Sequence, residues 1–316
     1  MIVTELYNGQ GLGNQLWIYC IARLIADSKN CDFSILSKNE FKGVEFIDLD
    51  FGVDIKEYTP SDGPCDLLPV GINNYYKEKK EVHSDLNIDI SRSDENLFNI
   101  DTFTKIDGNL QSTKYISGHR DKILDWIKIK KEVLDENTLD DNACVMHLRC
   151  GDFYAQTDVF VPKSYYINAM NLVKEKNPNV KFYIVTDQPG IATSLFPDIE
   201  IIGSSTLNSS DNMMASHHFG GPVQKDFCLL RNAKYVIIPN SSFSWWAAYL
   251  NTNAELIIAP KYWSRFNISN GYWATSDMVA DEFMYLDREG NLMSPKECLR
   301  EKEEFEKTNE NIFRLV

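Results

Sequence analysis

The chain has 316 residues, 43% of them apolar, enough to bury a substantial core, and its length fits two domains. Its 32 basic side chains face 46 acidic ones, and the resulting formal charge of −14 argues against a nucleic-acid partner, which needs a basic face. No apolar run reaches the roughly 20 residues of a bilayer span, the N-terminus lacks the basic start of a secretory signal, and the seven scattered cysteines are never spaced C-x-x-C and read as reduced thiols, so a cytoplasm is the expected compartment.

Residues 2–7 (Ile-Val-Thr-Glu-Leu-Tyr) read as a strand, Asn8–Gly13 as a glycine-rich turn and Asn14–Asp27 as a helix. Arg23 is the only charge between Asn14 and Ala26, so that helix is expected to be buried between layers. Cys31–Leu36 supplies the next strand, and from Lys38 to Ile100 periodicity does not resolve the elements. Charged residues 119–136 suggest a solvated helix leading to a second unit, with the boundary near 140. Beyond it, strand-like runs at Ala143–Leu148, Lys181–Thr186, Glu200–Ile202, Tyr235–Ile238 and Glu255–Ala259 alternate with helical stretches near 164–176, 190–196, 224–232 and 242–250. Such alternation implies a parallel sheet covered on both faces, with ligands beyond the carboxyl ends of the strands where the winding reverses. Residues 294–316 read as a charged surface helix packing back across the first domain. The expected domains are 1–140, 141–293 and 294–316, the last being the returning helix.

The residues after the strands carry the chemistry. Arg149 follows the strand that holds His147, and its planar, permanently charged fork suits phosphate or carboxylate; an ion pair with Asp152 is the plainer alternative. Asp187 follows Phe182–Thr186, and Pro239-Asn240 stops the Tyr235 run where Ser241, Ser242 and Ser244 open a helix. Hydroxyls and N–H groups at a helix start bind anions without a metal. Together these make a diphosphate pocket at one end of the sheet. Asp226, at the start of the preceding helix, is placed to accept from a guanine N1–H and amino group, donors that adenine lacks as a pair. In the first unit Gly9-x-Gly11-x-Gly13 superficially resembles dinucleotide or S-adenosylmethionine loops, but Ser37-Lys38 after the second strand offers no ribose-binding acid. Asn14 and Gln15 put amides at that helix start. Asp48-Leu-Asp50 and the pair Asp85 and Asp89 read as solvated turns, and no metal or other cofactor is expected. Trp245 and Trp246 read as core, Trp263 and Trp273 are less clear, and His217-His218-Phe-Gly-Gly221 reads as a mobile loop over the ligand.

Taken together, Gln10-Gly-Leu-Gly-Asn-Gln15, His147-Leu-Arg-Cys-Gly-Asp-Phe153 and Asn240-Ser-Ser-Phe-Ser-Trp-Trp-Ala-Ala-Tyr249 resemble the motifs of the α-1,2-fucosyltransferase family, with smaller matches at Leu110–Tyr115, Tyr165-Tyr166 and Thr186-Asp187. The resemblance spans residues 1 to about 263 and implies an α/β fold of GT-B type, two Rossmann-like domains facing across a cleft, 1–140 on the acceptor side and 141–293 binding the nucleotide sugar. It further implies an inverting, metal-independent transfer of fucose from GDP-fucose to a glycan hydroxyl, α-1,2 to a terminal galactose, the acceptor oligosaccharide including lipid-linked forms at a membrane surface. By matching position to position, Arg149 grips the β-phosphate, His147 lies near the nucleoside, Asp226 reads guanine, Ser241 and Ser242 touch the diphosphate, and Asn14 lines the sugar site beside Gly11, Gly13 and Gln15. Asp152 is the candidate general base, with Glu5 or another first-domain acid as the alternative. Cys150 departs from the family's second arginine, leaving another GDP-hexose donor, or a non-catalytic glycan-binding module, as competing readings; Gln10 and Ala247 depart from glycines.

Overall fold

The computed structural model describes residues 1–55, 68–83, 89–91, 93–203, 223–263, 267, 277–308 and 313–315; His217–Gly221, Asp85 and Trp273 lie outside them. The chain divides into two compact units, one of Met1–Lys128 with Thr275–Met278 and Asn311–Val316, the other of Ile129–Ala274 with Val279–Glu310. The single helix expected over 119–136 is two short ones, Arg120–Trp126 and Lys131–Glu136. Ile127 leaves helical geometry at φ −100°, ψ 89°, and the division between units falls in that break rather than at 140.

The first unit is built on four strands, β1 (Ile2–Glu5), β2 (Phe33–Leu36), β3 (Asn74–Lys77) and β4 (Thr104–Asp107), in the order β2-β1-β4-β3 and all parallel. Helix α1 (Leu12–Ser28) starts at once after the glycine turn. Its residues Leu16–Ala22 are all buried, about two full turns with no exposed side, which is what a helix without charges predicts. Its one cation, Arg23, lies with Cζ 4.5 Å from the centre of the Trp126 ring, so the aromatic face carries the charge.

The second unit has β5 (Ala143–Leu148), β6 (Lys181–Thr186), β7 (Glu200–Ile201), β8 (Tyr235–Ile237), β9 (Leu256–Pro260), β10 (Met284–Leu286) and β11 (Leu292–Met293), ordered β7-β6-β5-β8-β9-β10-β11. All neighbours are parallel except the closing hairpin β10–β11. Every residue of β5 is buried, as befits a central strand covered on both faces. Alternation sends its side chains to opposite sides. Cys144, Met146 and Leu148 join a core with Tyr165, Tyr166, Ala169 and Val173 of α2 (Lys163–Lys176). On the other side the His147 ring lies 5.8 Å from Phe243 of α4 (Ser242–Tyr249), which in turn lies 5.4 Å from Phe227 of α3 (Gln224–Asn232). Trp245 and Trp246 are fully buried, the core residues their apolar helix implied.

One expectation is corrected. The C-terminal helix α5 (Pro295–Thr308) belongs to the second unit, where Lys261 Nζ meets Glu301 at 2.6 Å and Cys298 is fully buried. Asn311–Val316 goes with the first unit, where Phe313–Leu315 pairs antiparallel with Glu81–His83. Both units are α/β on parallel sheets, and among the described residues no helix is long and apolar enough to cross a membrane.

Candidate active site

From β5 the second sheet winds outward through β6 to β7, then returns to the other side of β5 and winds through β8, β9 and β10. The reversal falls between β5 and β8, which pair with Val236 opposite Val145 and Ile237 opposite Met146. Neighbouring strands run about 4.8 Å apart. Arg149 to Gly151 leave the carboxyl end of β5, and Pro239 to Ser242 leave that of β8. The guanidinium and the serine turn therefore flank the crevice in which open α/β sheets take ligands.

Arg149 is 7% exposed and is held from both ends of its fork, Nη1 to Asp187 Oδ2 and Nη2 to Asp152 Oδ1, each at 2.5 Å. Asp187 also accepts from the backbone N–H of Cys150 at 2.9 Å and of Gly151 at 3.3 Å. Its buried carboxylate is spent on aiming the arginine and shaping the turn. A Cβ at position 151 would stand 2.6 Å from Asp187 Oδ2, so only glycine lets the turn close on that carboxylate. The Asp152 side chain, by contrast, is 52% exposed. Cys150 points the other way, into the apolar core with Leu148 and Tyr166. Burial, reinforced by Asp187, pushes its thiol up to about 12. A side chain with no exposed surface touches no docked donor, so the cysteine that replaces the family's arginine is a packing residue in this chain.

Ser241 is the N-cap of α4 in extended geometry, φ −121°, ψ 124°, and its side chain makes no capping bond. Ser241 and Ser242 are partly exposed at the positive end of the helix. Ser244, the third serine expected at the diphosphate, is fully buried, and its hydroxyl donates to the Ser241 carbonyl at 3.2 Å, one turn back. Three residues that sequence reasoning quoted without a role hold this geometry. Asn240 Nδ2 donates to the Val159 carbonyl at 2.9 Å, tying the serine turn to the loop that follows Arg149. The Tyr165 hydroxyl donates to the Ile238 carbonyl at 2.8 Å and the Tyr166 hydroxyl to the His147 carbonyl at 3.0 Å, so two adjacent side chains of α2 latch the ends of β8 and β5. The signal was present in the paired tyrosines, because a buried phenol must find a partner.

Asp226 sits in the first turn of α3, fully buried. A Cβ at Gly203, just past β7, would stand 2.6 Å from its Oδ1, so the backbone there is pressed against the carboxylate. His147 is 1% exposed, beneath Phe243 rather than on the surface. In the first unit Gly11 caps α1 and Asn14 Oδ1 accepts from Gln111 Nε2 at 2.7 Å, with Asn14 partly exposed and Gly13 buried. Gln15, expected on the acceptor side, lies one residue further into the helix. It is fully buried, its Nε2 donates to the Glu40 carbonyl at 2.7 Å and its Oε1 accepts from Lys42 N–H at 2.9 Å, so it fastens a loop.

Curated relatives and solved structures resemble this chain in part. An alpha-1,2-colitosyltransferase of Escherichia coli is 29% identical over 170 residues, 49% of this chain and 54% of that protein. The O-antigen biosynthesis glycosyltransferase WbnK of Escherichia coli is 24% identical over 175 residues, 48% of this chain and 53% of that protein. The aligned part thus spans about half the length of each relative. The structure of NodZ alpha-1,6-fucosyltransferase co-crystallised with GDP is similar at a TM-score of 0.44 and 18% identity, over 82% of this chain and 94% of that one. Residues 106–285, more than half of the chain, match the family described as Glycosyl transferase family 11, and the chain belongs to that family.

Proposed function

We propose that this chain is an inverting fucosyltransferase that moves fucose from GDP-fucose to a glycan hydroxyl, α-1,2 to a terminal galactose. One observation carries the reading: a guanidinium and an uncapped serine helix tip stand at the ends of adjacent strands, β5 and β8, where the sheet reverses. With Asp152 and Asp187 both on Arg149, the group carries a net charge of −1 and would repel a diphosphate. One carboxylate must withdraw, and exposure selects Asp152, since Asp187 is buried and bound to two backbone N–H groups.

In the proposed reaction the bond from the anomeric carbon to the β-phosphate oxygen breaks as the acceptor oxygen bonds the opposite face of that carbon. Negative charge grows on the leaving phosphate, and Arg149 with the Ser241–Ser242 helix end stabilises it. The acceptor's proton passes to Asp152, released from the arginine by the phosphate. Asp187 acts through Arg149, Asp226 reads the guanine, His147 lies near the nucleoside, and Asn14 contacts the acceptor sugar. The reading uses no metal, because arginine and helix end supply the positive charge; EDTA is expected to leave turnover unchanged, and a lasting loss restored only by added Mg²⁺ or Mn²⁺ would contradict it.

A thermal-shift panel of GDP, UDP, ADP and S-adenosylmethionine tests the nucleotide, since selective binding stabilises the folded state by mass action. GDP alone is expected to raise the melting temperature, and equal shifts by GDP and UDP would sink the proposal. A second reading, a GDP-activated hexose other than fucose, is favoured by the relative named as a colitosyltransferase. A donor panel with product linkage mapping separates the two.

A further inference from the structure

The turn that carries Asp152 holds two adjacent aromatic residues with different fates. Phe153 is half-buried and its ring centre lies 5.4 Å from Arg149 Cζ, so it packs against the arginine. Tyr154 is 51% exposed. Among the described residues one other large aromatic side chain is exposed, Phe103, and it precedes β4, at the sheet edge opposite the one where open α/β sheets take ligands. A single exposed ring is ordinary on a protein surface. This one differs in being held in place beside the crevice. Tyr154 N–H donates to the Cys150 carbonyl at 2.6 Å and Gln156 N–H to the Phe153 carbonyl at 2.8 Å, while Gln156 Nε2 closes the same turn on the Asp152 carbonyl at 3.1 Å. The Phe160 ring backs Tyr154 edge-on, with centres 5.3 Å apart and planes at 84°. Phe160 itself packs on the core of the second unit, and its carbonyl accepts from Asn267 Nδ2 at 2.8 Å. A T-shaped contact covers at most one face of one ring, so Tyr154 keeps an open face, and a ring already ordered loses little freedom when a ligand lands on it.

The surroundings of the ring choose its occupant. Asp152, Gln156 and Thr157 are exposed beside it, so the surface is one aromatic face set among polar groups, not the contiguous apolar patch that a protein or lipid partner would cover. A pyranose has the matching make-up, C–H groups on a face and hydroxyls around the rim. Galactose matches better than glucose, because its axial hydroxyl gathers the C–H groups on the opposite face into a continuous apolar patch, whereas glucose splits them between both faces. The ring also stands two residues from Asp152, no more than about 7 Å along the backbone, and Asp152 is the carboxylate proposed to take the acceptor's proton.

We propose that Tyr154 is a stacking platform for a sugar ring and favours galactose over glucose there; that this sugar is the acceptor's rests on the transferase reading above. The test is saturation-transfer NMR on the full chain, without nucleotide, using methyl β-galactoside and methyl β-glucoside at millimolar concentration. The parent is expected to bind the galactoside more tightly, with saturation strongest on the C–H groups opposite the axial hydroxyl. Tyr154→Phe keeps that binding. Tyr154→Leu, which leaves apolar bulk against Phe160 but no ring, weakens it about threefold to tenfold, the worth of one aromatic contact. Both variants keep the parent's melting temperature and GDP affinity, which report on the turn beside Arg149. No saturation transfer to either glycoside from the parent overturns the proposal, as does equal binding of the two. A leucine variant that binds the galactoside like the parent overturns it as well, and so does one that loses galactoside and GDP together, because the ring is then only a prop for Arg149. A parent that binds the galactoside through Tyr154 but does not bind GDP overturns the donor reading and leaves the platform standing.

Discussion

Replacing Arg149 separates what the guanidinium does for the fold from what it does for a phosphate. Arg149→Ala strips the countercharge from Asp187, whose side chain has no exposed surface. Removing one partner of a buried ion pair costs about 3–5 kcal/mol. Asp187 retains its bonds from Cys150 and Gly151 N–H, so the lower end, about 3 kcal/mol, is expected. For units of this size that is a fall in melting temperature of roughly 6–12 °C. Turnover should fall further than stability explains, by about 10²–10³, the effect of deleting one preorganised donor to a developing oxyanion. Arg149→Lys discriminates: a single ammonium can meet Asp187, but it cannot also span to where Asp152 now sits, 2.5 Å from the other end of the fork. It should recover most of the stability and little of the rate. Thermal unfolding and donor turnover, both measured well below the melting transition, read the two effects. An alanine variant within about tenfold of the parent rate, roughly 1.4 kcal/mol, would refute the assignment of Arg149 to the phosphate.

Three further outcomes follow from contacts in the second unit. Gly203→Ala places a methyl 2.6 Å from Asp226 Oδ1, so the carboxylate must move and GDP affinity by calorimetry should fall at least about tenfold; unchanged affinity would remove Asp226 from the nucleotide site. Tyr166→Phe leaves the buried His147 carbonyl without its hydroxyl donor and should cost about 1 kcal/mol in urea unfolding, with a loss near zero showing the latch to be idle. Cys150, fully buried and with its thiol pushed up to about 12, stays protonated at pH 8 and should resist iodoacetamide in the native chain but react once unfolded, as mass spectrometry of its peptide would reveal.

The second unit was legible before any coordinates because its strands are short apolar runs ended by polar residues. His147-Leu-Arg149 and Pro239-Asn-Ser241 announce both the strand end and the proposed ligand group. Side-chain direction was less legible. Ser244 and Ser242 look equivalent in the motif, yet two residues along the helix turn Ser244 into the core. Gln15 and Asn14 are likewise neighbours carrying the same amide, and only packing shows that Gln15 fastens the Glu40–Lys42 loop while Asn14 meets Gln111.

What the linear chain determined is the α/β class and the residue types able to bind a phosphate, since both depend on local periodicity and on the chemistry of single side chains. Tertiary structure alone decided which carboxylate aims Arg149 and which one can leave it, because Asp152 and Asp187 are the same residue type and differ only in burial and in the backbone N–H groups they receive. It also decided that β5 and β8, some 90 residues apart, lie side by side, and so that the arginine and the serines share a crevice.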